Sequence, residues 1–162
     1  MSPVALRNAS SGDERELREL EIATWSPRVN PGPRPDSTRP FLDRFGRANL
    51  IVAIVGEALV GSLILGPWAA LESSRHVVEV KGLAVDPDRQ GEGIGSRLLD
   101  AAIDRVRTEG RRRLVLRVLA TNEGARHLYE SRGFELEGAH REAFLLEGAY
   151  VDDLLMALDL TR

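Results

Sequence analysis

The chain has 162 residues, of which 43% are hydrophobic and 29% charged, and 22 basic against 25 acidic residues leave a net charge of −3. That size fits one compact domain of roughly 100–200 residues, so a single domain over 1–162 is expected, and the charge balance excludes a nucleic-acid binder relying on global positive charge. Cysteine is absent, which removes disulfides, thiolate metal sites and cysteine nucleophiles together.

In chain order, Val4–Arg7 reads as an edge strand. Ser10, Ser11 and Asp13 offer caps for a helix over 13–23, supported by Leu17, Leu20 and Ile22. From Ser26 to Pro40 periodicity vanishes and five of the eight prolines crowd together, predicting a stiff irregular loop. Phe41, Leu42 and Phe45 predict a short helix ending at Gly46. Two β-rich runs, Leu50–Val55 and Ala58–Leu65, meet at Gly56-Glu57 as a tight hairpin. After a loop containing Trp68, His76–Val85 is strand-like and Asp86-Pro87 ends it.

Residues 90–96 are glycine-rich. Beyond them Ile94, Leu98, Ala102 and Val106 recur at helical spacing, with Gly110 at the stop. Arg113–Leu119 reads as a buried strand. Thr121 or Asn122 caps a helix through Arg132, stopped by Gly133, and Phe134–Glu142 and Tyr150–Leu158 are the final strand candidates. The order β-α-α-β-β-β-α-β-α-β-β is mixed α/β, with helices flanking a largely antiparallel sheet. No apolar run reaches the roughly 18 residues of a membrane span, and the first residues lack a signal peptide's apolar centre. No membrane partner and a cytoplasmic location are therefore expected.

The segment Gln90-Gly91-Glu92-Gly93-Ile94-Gly95-Ser96 follows a strand and opens a helix. Glycines permit the tight turn, and the amides of a helix N-terminus favour a phosphate. A plain structural turn would use the same glycines. A Walker loop would need Lys-Ser/Thr after the last glycine, where Ser96-Arg97 stands. A dinucleotide fingerprint would need an acidic residue about twenty positions on, where Arg111-Arg112-Arg113 stands.

A third pattern is met. Val85-Asp86-Pro87-Asp88-Arg89-Gln90-Gly91-Glu92-Gly93-Ile94-Gly95 resembles the signature of the GNAT superfamily of acyl-CoA-dependent N-acyltransferases, Gln/Arg-x-x-Gly-x-Gly/Ala, through Gln90, Gly93 and Gly95. Leu6-Arg7-Asn8-Ala9 with Asp13 resembles the family's first strand and helix start, and Asn122–Tyr129 with Gly133-Phe134 its second signature. The resemblance implies a six- to seven-stranded, mostly antiparallel sheet splayed in the middle and flanked by about four helices. It also implies an acetyl-CoA co-substrate and no metal. The pyrophosphate would sit on the amides of Gln90, Gly91, Glu92, Gly93, Ile94, Gly95 and Ser96. The pantetheine arm would pair with Leu83 and Val85 like an added strand. Backbone N–H groups near Leu83 and Ala84 would face the acyl oxygen. A homodimer is a further expectation of the family.

Amine acylation by a held thioester needs no enzyme nucleophile, but it needs a neutral amine. Glu79, eleven residues before Gln90, stands at the spacing of a general base in some members; a solvated sheet-edge glutamate is the plain alternative. Asn122 and Tyr129 are seven apart and share a helix face. The resemblance implies that Tyr129 protonates the departing thiolate and that Asn122 helps hold the cofactor, against an ordinary core tyrosine and an ordinary N-cap. Lys81, the only lysine, is expected to snorkel from the sheet, with a substrate carboxylate as the alternative. Gly82 suggests a bulge. His76, His127 and His140 show no metal-ligand spacing, and Arg111-Arg112-Arg113 reads as a solvated turn.

The proline-rich loop is expected to form one wall of an acceptor pocket, with Trp25, Trp68 and Tyr150 as candidate apolar surface. The tail, Gly133–Gly138 and Glu147–Asp152, resembles bacterial members acting on free amino acids. Small primary amines therefore lead as acceptors, ahead of protein N-termini or lysines and then aminoglycosides. A non-catalytic acyl-CoA-binding module and a regulatory protein keeping only the fold remain as other classes.

Overall fold

A computed structural model describes residues 3–36 and 38–162. Four helices and seven strands follow the expected order: β1 Val4–Asn8, α1 Glu14–Thr24, α2 Phe41–Phe45, β2 Leu50–Val55, β3 Ala58–Pro67, β4 Val77–Val85, α3 Ile94–Thr108, β5 Arg113–Leu119, α4 Glu123–Ser131, β6 Glu135–Leu146 and β7 Ala149–Asp159. The sheet order is β1-β2-β3-β4-β5-β7-β6. The β4–β5 ladder is parallel, whereas the ladders β1–β2, β2–β3, β5–β7 and β6–β7 are antiparallel. No helix of the described residues is long and apolar enough to cross a membrane. The chain divides into two compact units, one of Met1–Thr24, Pro35–Gly66 and Lys81–Arg105, the other of Trp25–Arg34, Pro67–Val80 and Val106–Arg162.

In the first unit, Asp13 closes a capping box with Ser10 just ahead of α1, the motif that satisfies the orphan amides of a helix start. Leu17 and Leu20 turn inward and join Phe41, Leu50, Val52, Leu59 and Ile64 in one buried cluster. Each such side chain contributes about 1.5–3 kcal/mol of apolar burial. Helix α2 is too short to stand alone. Glu14 of α1 holds it, accepting the Phe41 and Leu42 amides at 2.6 and 2.9 Å, and Arg44 pairs with Glu21 at 2.6 Å. Gly46, with φ 77°, ends it as expected. The segment from Ser26 to Pro40 contains no helix or strand among its described residues; Ser37 lies outside them.

In the second unit, Arg113–Leu119 is the strand read from sequence, bonded in parallel to Val77–Val80 on one side and along its length to β7 on the other. The ladder to β4 covers four of that strand's nine residues, ending at Val80↔Leu116. β6 differs from expectation. It runs to Leu146 instead of ending at Glu142, because a bulge between His140 and Phe144 absorbs three residues without ending the pairing. Within the bulge Glu142 takes φ 49°, and its amide donates to the Asp152 carboxylate at 2.8 Å.

Candidate active site

The first unit holds the glycine loop and its approach. Asp86 ends β4: its amide donates to the Val60 carbonyl at 2.9 Å and its carboxylate accepts the Asp88 amide at 3.0 Å. The chain then enters the glycine loop, where Gly91 and Gly93 take φ 84° and 78°, a region that only glycine adopts cheaply. A Cβ at either would meet nothing within 4 Å, so the space over both α-carbons is open. Arg97 donates to the Gly93 carbonyl at 3.1 Å, making the amides of Ile94, Gly95 and Ser96 the free first turn of a fifteen-residue helix with its positive dipole end. Ile94 and Leu98 anchor that turn, at 1% and 0% exposure. A Cβ on Gly61 of β3 would lie 3.0 Å from Leu98 and 3.1 Å from Ile94, so Gly61 sets how closely the helix approaches the strand.

Leu83, Ala84 and Val85 are half-buried on β4. The Ala84 side chain packs on the buried cluster of the first unit, so what this position offers a ligand is backbone. Gly82 admits Ile64, whose Cδ1 would lie 3.2 Å from a Cβ there. Lys81 is exposed, and its stem runs along Gly66, with Cε 3.1 Å from the point a Cβ would occupy, which fits the snorkelling reading.

The second unit holds the side-chain candidates, Glu79, Asn122 and Tyr129. Glu79 is half-buried and stands opposite Val115. Asn122 caps α4, accepting the Ala125 amide at 3.2 Å; its amide nitrogen keeps two donors beyond that cap. Tyr129 is 7% exposed, and its ring meets Phe134 at 5.8 Å. Burial pushes its phenol up to about 12, because the low-dielectric surroundings penalise the phenolate.

The same unit contains Trp25–Arg34. Trp25 donates to the Gly32 carbonyl at 3.2 Å. Arg28 reaches Glu147, in the β6–β7 turn, at 3.2 Å, and the Thr121 hydroxyl donates to the Arg28 carbonyl at 3.2 Å. The loop is thereby fastened to the start of α4 and to the hairpin tip, contacts across 119 and 93 residues that no local pattern announces. Trp68 and Tyr150 are exposed and Trp25 is half-buried.

His76 and His127 are exposed, and no group of three or more His, Asp or Glu that could hold a metal occurs among the described residues. The three arginines are bonded to nearby segments: Arg111 donates to the Arg75 carbonyl, the Arg112 amide to the His76 carbonyl, and Arg113 of β5 pairs with Glu137 of β6. Sequence reading missed Asp153, a buried acid that pairs with Arg117; its signal was the acidic pair Asp152-Asp153 inside a run that is otherwise apolar from Val151 to Leu158.

A mixed seven-stranded sheet whose fourth strand runs into a glycine loop and a helix N-terminus defines the N-acyltransferase class of fold. Residues 15–134 match the family described as acetyltransferase (GNAT), and the chain belongs to that family. It is 30% identical over 111 residues to the L-amino acid N-acyltransferase MnaT of Escherichia coli, covering 68% of this chain and 64% of that protein. It is 39% identical over 79 residues to the ribosomal protein bS18-alanine N-acetyltransferase of Salmonella typhimurium, covering 49% of this chain and 53% of that one. The chain thus spans less than two thirds of the length of these two relatives. In structure it resembles a GNAT superfamily phosphinothricin acetyltransferase from Sinorhizobium meliloti, in complex with acetyl-CoA, with TM-score 0.86 at 22% identity over 98% of this chain and 89% of that one.

Proposed function

We propose that this chain is a cytoplasmic enzyme that transfers the acetyl group of acetyl-CoA to the primary amine of a small molecule, an amino acid first among the candidates. The observation that carries the reading is the loop from Gln90 to Ser96: two positive-φ glycines with open space above them lead into three unbonded amides at a helix start. Such a cradle fits a pyrophosphate. Leu83 and Val85 would pair with the pantetheine arm, and the Ala84 region would offer N–H groups to the acyl oxygen. The relation to an L-amino acid N-acyltransferase supports the acceptor class, and the relation to a protein-alanine acetyltransferase supports a peptide N-terminus as the second reading.

In this mechanism Glu79 takes the proton of the acceptor ammonium, directly or through water, the neutral amine attacks the thioester carbonyl, and the adduct nitrogen releases its second proton to solvent as the C–S bond breaks. Tyr129 faces the leaving sulfur. A phenol at about 12 keeps its proton throughout the working range, so it acts only as a donor. Complete transfer to a thiolate of pKa about 8.5 would be uphill by roughly 5 kcal/mol. Tyr129 therefore stabilises the thiolate through a hydrogen bond, and solvent completes its protonation.

The test is thiol release from acetyl-CoA across a panel of amino acids, simple amines and peptides. The chain has no cysteine, so every thiol detected comes from coenzyme A. Amine-dependent release is the expected result. Acetyl-CoA binding without turnover on any amine would leave a binding module, and absence of binding would refute the reading of the loop.

A further inference from the structure

The strand registers bring four charged residues to one face of the second unit. Glu79 stands opposite Val115, Arg117 opposite Leu155, and Asp153 opposite both Leu119 on one side and His140 on the other. Paired residues, and residues two apart, project to the same side of a sheet. Glu79, Arg117, Asp153 and His140 therefore share a face, on four adjacent strands.

Asp153 lies beneath the other two. Its side chain is 4% exposed, against 52% for Arg117 and 63% for His140. One of its oxygens, Oδ2, accepts from Arg117 Nε at 2.6 Å, is paired with Nη2 as well, and lies 3.9 Å from His140 Nδ1. A buried carboxylate with an ion pair is not an efficient way to stabilise a sheet, since desolvation offsets most of the attraction. What it does is fix the fork. Of the five guanidinium donors, two are spent on Asp153, and the rest remain on a half-exposed group whose rotamer the buried acid sets. Glu79 stands one strand over and two residues back. The face thus carries a cationic fork one strand from a carboxylate, a pair of opposite charges that complements a molecule bearing both an ammonium and a carboxylate.

We propose that Arg117, positioned by Asp153, binds the carboxylate of the acceptor, so that the acceptor class is a free amino acid whose amine is directed toward Glu79. This rests on the acetyl-transfer reading above. The planar fork suits a carboxylate bidentately, as a single-point cation does not.

The experiment compares kcat/KM for an L-amino acid and for its carboxamide, which keeps the side chain and the α-amine but lacks the negative charge, in the wild type, Arg117→Gln and Asp153→Asn. A charge-assisted pair is worth about 10- to 100-fold, so the acid-to-amide ratio should fall by that factor in Arg117→Gln, chiefly through KM for the acid. It should fall less in Asp153→Asn, where the fork remains but is no longer held. Acetyl-CoA affinity, measured by titration, reports that each variant is folded. Should Arg117→Gln not fold, Arg117→Met, which keeps an unbranched stem and removes the charge, carries the same comparison. An unchanged ratio in the variants, or a wild type that prefers amines without a carboxylate, overturns the assignment of Arg117 while leaving the transferase standing. A wild type inert toward every amine overturns both.

Discussion

Asp13 offers the sharpest test of how the first unit is held. Its carboxylate accepts from Arg7 Nη1 and Nη2 at 2.7 and 2.8 Å, from the Ser10 amide at 2.7 Å and from the Ser10 hydroxyl at 3.1 Å. One acid thus joins the end of β1 to the entry of α1. The Arg7 guanidinium, with Ser10 behind it, holds the carboxyl down from 3.8 to about 2. At about 1.4 kcal/mol per unit this corresponds to roughly 2 kcal/mol, trimmed toward 1 because Arg7 is half exposed and solvent screens the pair. Asp13→Asn should therefore lose about 1–2 kcal/mol in urea unfolding at pH 7, or about 3–6 °C in Tm for a chain of this length. The folded value lies below the unfolded one, so the contribution is complete above pH 4–5 and fades as pH falls through 3.8 toward 2. The gap between wild type and variant should close over that window. A gap under 0.5 kcal/mol at neutral pH, or one that does not change down to pH 2.5, would refute the coupling.

Gly61→Ala places a methyl 3.0–3.2 Å from Leu98, Ile94 and the Ala84 carbonyl; since both side chains are fully packed, overpacking should cost about 1–3 kcal/mol in chemical denaturation. Gly93→Ala meets no atom but must hold φ near 78°, which costs an L-residue about 1–2 kcal/mol. The loop should relax in part, so acetyl-CoA affinity by calorimetry should fall several-fold and Tm by no more than about 3–6 °C. Tyr129→Phe keeps the buried ring and removes only the donor, so kcat should drop roughly 10- to 100-fold with acetyl-CoA affinity retained. No alkaline limb below pH 10 should be traceable to this phenol, because its pKa lies near 12.

What was legible in the sequence was local. The bounds of β5, the glycine stop of α2 and the start of α3 all follow from patterns within a few residues, since capping and periodicity are near-neighbour effects. β6 was misjudged because nearly all its residues are exposed and no buried alternation marks its length; His140-Arg141-Glu142 looks like an end, yet Asp152 across the ladder carries the strand through it. The sequence likewise offered Asn122 as either a cap or a cofactor ligand, and the structure shows the cap being made with one oxygen while two donors remain. The pairing of Arg117 with Asp153 could not be read. They meet only because β7, the last strand in the chain, lies between β5 and β6, and that non-local pairing has no signature in the run Arg113–Leu119.

The two units also differ in the kind of chemistry they carry, and this bears on how the proposed activity can vary. The first unit's contribution is made by amides, whose direction depends on backbone angles at Gly91 and Gly93 and on the closeness that Gly61 permits. A side-chain change there acts only by moving backbone, so most substitutions are either silent or disruptive. In the second unit the candidate groups are side chains: Glu79, Arg117, Asn122 and Tyr129 project from strands or a helix whose own hydrogen bonds do not involve them, the Asn122 cap excepted. Exchanging one of these groups alters charge or donor pattern without unfolding a ladder. On the proposed reading, coenzyme recognition is therefore conservative by construction. Acceptor choice is set by a few replaceable groups on one sheet face, with Asp153 as the buried member whose loss releases the fork it holds.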